Sequence, residues 1–338
     1  MSATHATAAT RPRRRIARLL LVAALLLVLL TIGLLALFVL TFDPNAYRER
    51  LVQTVHERTG RTLVVDRPIG FTLFPRLGIE LDDVRLGNAP GFGDEAFAHL
   101  RRAELYVDLV ALLKRQIKID ALHIEGLSID LLRDAEGRGN WEDLLSTSPS
   151  GDTPARSTSP PDFELGQVDI VDARLRWRDQ TSGAHYEIDP FALELDTLHP
   201  GRPAVLGLEL TLHDHVHEWT LPLALKARLS LEPKDASIVL DELALDTPGG
   251  RIEGHIAIRD RALRFDLRAA TLALDPLLPP SDDAPTALED VTVPDLPLAM
   301  LRGLDVAGRL GIERLRFKDM EMIDVRLDVD EPAAMEDR

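Results

Sequence analysis

Apolar and polar residues alternate along most of the chain after Gly60, which is the pattern of half-buried β-strands. The alternation has a repeated irregularity. Two apolar residues separated by one residue are followed, after two intervening residues, by two more apolar residues separated by one residue. The copies are Ile79, Leu81, Val84 and Leu86; Ile117, Ile119, Leu122 and Ile124; Val168, Ile170, Ala173 and Leu175; Ile238, Leu240, Leu243 and Leu245; Leu310, Ile312, Leu315 and Phe317; Met320, Met322, Val325 and Leu327. The repeat predicts a common deformation of these strands.

In a regular strand, the extra residue would send the second apolar pair to the opposite face of the sheet. A β-bulge, in which two residues face one on the neighbouring strand, keeps the apolar face continuous. The central pairs are Asp82-Asp83, Asp120-Ala121, Val171-Asp172, Asp241-Glu242, Glu313-Arg314 and Ile323-Asp324. Tight hairpin turns at these pairs are disfavoured, because none of them supplies glycine or asparagine. A strand that crosses between two packing layers remains an alternative.

The pattern predicts a mainly β fold with few short helices, in which curved antiparallel sheets have one apolar face. That face must be covered by a second sheet or by an apolar ligand. Residue types alone favour a closed sandwich, whereas membrane anchoring favours a lipid-filled groove. The candidate groove residues are Ile79, Leu81, Val84, Leu86, Ile117, Ile119, Leu122, Ile124, Ile238, Leu240, Leu243 and Leu245.

Two local signals interrupt the alternation. Tyr47, Leu51 and Val55 recur at helical spacing until Gly60, which predicts a short amphipathic helix. The Pro90-Gly91 pair predicts a type II turn, because proline presets the first central dihedral and glycine accepts a positive φ at the second. This turn is expected to join two strands.

Residues 19–42 form an apolar stretch long enough to span a bilayer, and residues 1–18 carry five arginines and no acidic residue. The stretch is longer than the apolar region of a cleaved signal peptide. Because positive charge remains on the cytoplasmic side, we expect the N-terminus in the cytoplasm and residues 43–338 outside it.

These signals predict five segments. They are a cytoplasmic basic tail over 1–18, a transmembrane helix over 19–42, a helix-plus-sheet module over 43–145, a Ser/Pro-rich linker over 146–161 and a second β-rich module over 162–338.

Composition and motifs narrow the function. A formal charge of −16 disfavours binding to nucleic acid, and a chain without cysteine has neither a disulfide nor a thiolate metal site. The sequence contains no nucleophile elbow, phosphate-binding glycine loop or metalloprotease helix. We therefore assign no catalytic residue, no metal ligand and no cofactor, and we expect a non-enzymatic protein.

Three weaker chemical signals have plain structural interpretations. His213, His215 and His217 would share one face of a strand as a metal site, but an exposed hairpin tip before Trp219 fits them better. The run from Asp134 to Gly137 lacks the full ligand series of a calcium loop and predicts a turn. The paired acids at the irregularities are interpreted as solvated bulge residues.

Residues 43–145 resemble the start of the AsmA family, a group of AsmA/TamB-like proteins in the bridge-like lipid transfer superfamily. The resemblance depends on Thr-Gly-Arg at 59–61, Phe-Pro-Arg-Leu-Gly at 74–78, Asn-Ala-Pro-Gly-Phe-Gly at 88–93 and Gly-Asn-Trp at 139–141. Residues 162–327 resemble the family's next module less specifically. The chain stops before the further β-rich region that family members usually have, so we expect a short or truncated member.

The resemblance implies a single-pass protein of the bacterial inner membrane with a periplasmic body and a role in outer-membrane biogenesis. Its expected partners are the phospholipid bilayer, bound phospholipid and unidentified envelope proteins, and not nucleic acid. The leading hypothesis is transfer of phospholipid along an apolar β-groove. The alternative is a membrane-tethered scaffold or regulator of outer-membrane protein assembly and protein targeting to the membrane.

Overall fold

The computed structural model describes residues 48–72, 76–108, 111, 118–146, 165–232, 237–259, 262–280 and 305–329. The chain comprises two compact units, Met1–Tyr47 and Arg48–Arg338, and every described residue belongs to the second. Within these ranges no helix has both the length and the apolar character needed to cross a membrane. The predicted basic tail and transmembrane helix, and nearly all of the predicted linker, lie outside the described residues.

The second unit is built mainly from strands. Within the described ranges, the helices whose bounds are defined are α1 (Arg48–Thr59), α2 (Glu142–Ser146) and a 3-10 turn at Asp275–Leu277. The strands are β1 (Leu63–Val65), β2 (Gly70–Thr72), β3 (Leu77–Gly87), β4 (Ala96–Val107), β5 (Ile119–Arg133), β6 (Leu165–Asp179), β7 (His185–Leu195), β8 (Ala204–Asp214), β9 (Trp219–Glu232), β10 (Ser237–Thr247), β11 (Gly250–Arg259), β12 (Ala262–Ala273), β13 (Asp305–Phe317) and β14 (Met320–Val329).

All fourteen strands in the described ranges belong to one curved, unclosed sheet. Strands β3 to β14 follow one another in chain order, and β1 and β2 both pair with β3. The closed sandwich that residue types favoured is therefore wrong. The sheet is antiparallel except at β5–β6 and β12–β13, which pair in parallel. Because β5 precedes and β6 follows the predicted linker, one sheet is continuous across both predicted modules.

Two short elements confirm their sequence signals. Helix α1 ends where Gly60 adopts a φ of 71° and donates its backbone N–H to the His56 carbonyl at 2.8 Å, a glycine-terminated helix end. Between β3 and β4, Gly91 has a φ of 93° and the Phe92 N–H bonds to the Ala89 carbonyl at 3.1 Å. These are the dihedral and the hydrogen bond of the predicted type II turn.

The repeated irregularity is a backbone kink at the predicted pairs. In four of them the second residue adopts a left-handed conformation that is uncommon for residues other than glycine. These residues are Asp83, Asp172, Glu242 and Asp324, with φ values of 52°, 55°, 48° and 55°. The pairing register shifts at three of the six pairs, those beginning at Asp120, Val171 and Asp241, which confirms bulges there.

At the other three pairs the predicted two-against-one bulge is wrong. The β3–β4 register is the same on both sides of Asp83, and the β13–β14 register is the same on both sides of Asp324. The backbone at Asp83 and Asp324 is therefore kinked without an extra residue on that strand. Asp324 lies at the level of Glu313, and Gly126 on β5, at the level of the Asp83 kink, has a φ of 63°.

The kinks keep the apolar face continuous, as predicted. On β13, Ile312 and Leu315 are three residues apart, a spacing that would place them on opposite faces of a regular strand. Both nevertheless belong to one buried cluster with Ala269 and Leu272 of β12. Met322 and Val325 of β14, on either side of the kink at Asp324, pack against the same cluster.

Candidate functional site

A row of aliphatic side chains runs across the strands of the sheet. Residues paired on neighbouring strands project to the same face, so a run of paired positions forms such a row. From β3 to β11 its members are Leu81, Ala103, Ile124, Ile170, Leu193, Leu208, Leu225, Leu245 and Ile252. With neighbouring strands about 4.8 Å apart, the row is about 40 Å long.

Two further rows run beside it from β3 to β9. The first consists of Ile79, Leu105, Leu122, Val168, Leu195, Leu206 and Ala227. The second lies beyond the kinks and consists of Leu86, Ala98, Ile129, Leu175, Ile188, Leu212 and Leu221. We call the surface formed by the three rows the apolar face.

The predicted groove residues are distributed over this surface or its continuation on β10. Most of them are half-buried, Ile79 and Ile238 are exposed to 42% and 40%, and Leu243 is buried at 5%. Ile117 lies outside the described residues. Partial exposure of so many aliphatic side chains is unusual for a soluble surface and typical of a binding face.

The other face of the same strands is charged. Arg102 on β4 lies 2.5 Å from Glu80 on β3 and 2.7 Å from Glu104 on its own strand. His123 Nδ1 on β5 lies 2.8 Å from the Asp169 carboxylate on β6. The sheet is therefore amphipathic, with ion pairs on one surface and aliphatic rows on the other.

A buried arginine joins α1, the sheet and α2 on the N-terminal side of the unit. The side chain of Arg61 is fully buried and makes a bidentate contact with Asp143, at 2.8 Å from Nε and 2.6 Å from Nη2. It also donates to the carbonyls of Gly87 and Asn140, and its guanidinium lies 4.4 Å from the centre of the Phe97 ring. The hydrogen bond from Arg61 lowers the pKa of Asp143, because it stabilises the carboxylate.

Asn140 is the second buried member of this cluster, with no exposed surface. Its amide nitrogen donates to Asn88 Oδ1 and to the Asp130 carbonyl, both at 2.9 Å, and its amide oxygen accepts from the Leu132 N–H at 3.0 Å. The neighbouring Trp141 packs against Trp177 of β6 with ring centres 5.1 Å apart.

Three of the four family-like motifs thus meet in one place, which we call the polar joint: Arg61, Asn88, Asn140 and Asp143. The Pro90-Gly91 turn belongs to it, because a Cβ on Gly60 would lie 3.3 Å from Pro90 Cγ. The motifs build a structural joint between distant parts of the chain. Its members form hydrogen bonds to one another. This arrangement holds distant segments together and is typical of a structural contact.

The histidine segment forms a hairpin tip between β8 and β9, as the plainer interpretation predicted. The structure does not bring His213, His215 and His217 together as a ligand set. His217 contacts Asp214 at 2.6 Å, and His213 contacts the Asp189 carbonyl at 2.8 Å. His215 instead stacks on His185 of β7, with ring centres 4.3 Å apart.

The acidic residues considered for calcium binding or for acid–base chemistry have structural roles. Asp134 accepts hydrogen bonds from the backbone N–H groups of Glu136 and Arg138, which closes the predicted turn. At the first kink, Asp83 Oδ1 lies 2.9 Å from His99 Nε2, and this contact lowers the pKa of Asp83. Asp83 is 42% exposed, so it is the solvated residue that was predicted.

Sequence reasoning missed two sets of residues. Arg61 was recognised only as part of a motif, because its partners Asn140 and Asp143 are 79 and 82 residues away. His185 and Glu187 were missed because they belong to an ordinary alternating strand, and the contact with His215 depends on the pairing of β7 with β8.

Comparisons with known proteins identify the same family as the one that the motifs of the polar joint resemble. The AsmA family model matches residues 13–205, more than half of the chain. The chain is 24% identical over 261 residues to the AsmA family protein YhjG of Escherichia coli (strain K12), and the aligned region covers 73% of this chain and 35% of that protein. The chain thus spans about a third of the relative's length. No solved structure matches. Together these matches establish that the chain belongs to the AsmA family.

Proposed function

We propose that this chain is a non-enzymatic protein of outer-membrane biogenesis that handles or transfers phospholipid along its apolar face. In this proposal it is anchored in the bacterial inner membrane by residues 19–42, and its body is periplasmic. The apolar face is the β-groove, and the charged face is exposed to water.

The observation that carries the proposal is the aliphatic row from Leu81 to Ile252. A row of about 40 Å across the strands provides a continuous hydrocarbon surface along the direction in which the sheet grows. All described strands belong to this one sheet, so no second sheet within the described ranges covers the row. Acyl chains are ligands that match such a surface without requiring any polar partner.

Family membership supports the same class of role. The matched relative is about three times as long as the aligned region. The absence of a catalytic constellation among the motifs of the sequence supports a binding function over an enzymatic one.

The binding experiment changes Ile124, a central member of the row, to Asp in the full chain. A carboxylate among acyl chains is poorly solvated, which costs several kcal/mol and should expel the ligand. We expect mass spectrometry to find phospholipid with the parent protein and a loss of at least tenfold in the Ile124→Asp variant, while protease resistance is retained.

The matched control is Ser128→Asp on the same strand, on the charged side between His99 and Arg174. It should leave both lipid content and protease resistance unchanged. Collapse of Ile124→Asp together with a parent protein that carries no phospholipid would reject lipid handling and favour the scaffold.

The proposed topology has its own test. Alkaline phosphatase fused after residue 160 should be active in cells, because the enzyme works only outside the cytoplasm, and reversing the charge of the arginine cluster in residues 1–18 should lower that activity. An inactive fusion at normal protein levels would reject a periplasmic body.

A further inference from the structure

The charged face contains a cluster of two histidines and a glutamate that the apolar face does not use. His185 and Glu187 are two residues apart on β7, so they project to the same side of the strand. His215 at the β8–β9 tip is attached to them through its backbone N–H, which donates to the His185 carbonyl at 3.0 Å. One ligand atom from each of the three residues lies within 4.8 Å of the other two.

One imidazole nitrogen in this cluster has no partner. Nε2 of His185 is buried and forms no hydrogen bond within the part of the chain that the structure describes. A buried polar nitrogen without a partner is unfavourable, and a bound ligand at Nε2 would satisfy it.

The second pair of atoms fits metal geometry better than a hydrogen bond. His215 Nε2 and Glu187 Oε2 are 3.4 Å apart, beyond the usual length of a hydrogen bond between nitrogen and oxygen. Two ligands bound at about 2.0–2.1 Å to one tetrahedral zinc ion lie about 3.4 Å from each other. The ligand atom of His185 lies within 4.8 Å of the other two, so metal binding requires the stacked imidazoles to turn toward a common point.

The charges around the cluster permit a cation. Arg174 and Arg176 approach Glu187 at 3.2 and 3.3 Å, which fixes the orientation of the carboxylate. Each arginine also has a second acidic partner, Asp189 at 2.5 Å from Arg174 and Asp130 at 2.7 Å from Arg176. A third guanidinium, that of Arg178, also acts on His185; it lies 4.0 Å from Asp130 and 3.0 Å from Glu95. Four carboxylates therefore accompany three guanidinium groups.

We propose that His185, Glu187 and His215 bind one divalent transition metal ion of the zinc type. Two imidazoles and one carboxylate are a ligand set that zinc uses, whereas calcium and magnesium prefer oxygen ligands alone. The ion connects β7 to the β8–β9 tip, and its fourth position is open to water. This metal site lies on the charged face and is independent of lipid binding.

The test uses the full chain, purified through a tag without histidine, stripped with a chelator and dialysed against zinc chloride. We expect one zinc per chain by elemental mass spectrometry and a higher Tm with zinc than without it. The His215→Asn variant should bind zinc at least tenfold more weakly and lose the zinc-dependent rise in Tm, and Glu187→Gln should do the same.

The control is His217→Asn, which removes another histidine from the same tip, where it contacts Asp214. It should bind zinc like the parent. His215 is 44% exposed, so its replacement should leave the fold intact, as circular dichroism without zinc will check. The proposal is overturned if the parent retains no zinc at micromolar concentration, or if His217→Asn weakens binding as much as His215→Asn.

Discussion

The polar joint and the apolar face are built in opposite ways. The joint consists of four polar residues from distant parts of the chain, and each forms at least one hydrogen bond to another member. The apolar face consists of aliphatic residues in a regular alternating pattern. Many of these side chains remain half-exposed. The first region is fully satisfied, whereas the second still has surface available for a ligand.

This contrast indicates where function lies in the protein. Three of the four family-like motifs connect α1, the Pro90-Gly91 turn and α2 to the sheet. The residues proposed to act on a ligand carry no motif, since hydrocarbon recognition requires only area and shape. Substitutions in the joint should therefore change stability, and substitutions in the rows should change ligand content.

The largest effect is expected for Arg61→Ala. This change removes the buried partner of Asp143 and leaves the Asn140 carbonyl without its donor, so the free energy of unfolding should fall by about 3–5 kcal/mol. Denaturant unfolding measures the change. The matched variant Arg85→Ala removes an exposed ion pair with Asp66 and should change stability far less than Arg61→Ala. Equal effects of the two variants would contradict the structural role of the joint.

A smaller loss is expected for Asn140→Ala. The change removes three hydrogen bonds in a site without solvent and leaves the Leu132 N–H unpaired, which should cost about 2–3 kcal/mol by denaturant unfolding. Ser182→Ala, which removes one exposed hydrogen bond to Ala184, is the control and should change stability by less than about 0.5 kcal/mol. A neutral Asn140→Ala variant would mean that the joint is not closed as described.

Substitutions at the kinks should change stability through the backbone conformation that the new residue prefers, and not through lost side-chain contacts. Glu242 has a left-handed φ of 48° and an exposed side chain whose partner is Arg228. Glu242→Val should destabilise the protein by about 1–2 kcal/mol, because a β-branched residue disfavours this conformation, whereas Glu242→Gly should be neutral or slightly stabilising. The comparison is made by Tm, and the reverse order would reject the kink.

The smallest expected effect is the loss of stability at acidic pH through protonation of Asp143. The pKa of Asp143 is lowered in the folded state, so the carboxylate contributes stability above its unfolded pKa, near 4, and loses that contribution as pH falls through the lower folded value. The parent should therefore lose more stability below pH 4 than Asp143→Asn, which cannot titrate there. Parallel stability curves for the two proteins would contradict the contact with Arg61.

Local features of this fold were predictable because their causes are local. Gly60 ends α1, Gly91 permits the turn, and the acidic pairs mark the kinks, each through backbone conformations that neighbouring residues determine. The parallel pairing of β5 with β6 was not predictable, because the segment between them carries no periodicity. The same limit applies to the joint, whose arginine and carboxylate are 82 residues apart, and to the contact of His185 with His215.

The central claim is that acyl chains lie on the apolar face, and photocrosslinking in living cells tests it most directly. A photoreactive amino acid replaces Ile124 on the aliphatic row in one full-length variant and Ser128 on the charged side of the same strand in another. After irradiation, mass spectrometry of the purified protein should find phospholipid adducts at position 124 and at least tenfold fewer at position 128. No adduct at position 124, or equal yields at the two positions, would contradict lipid binding along the rows.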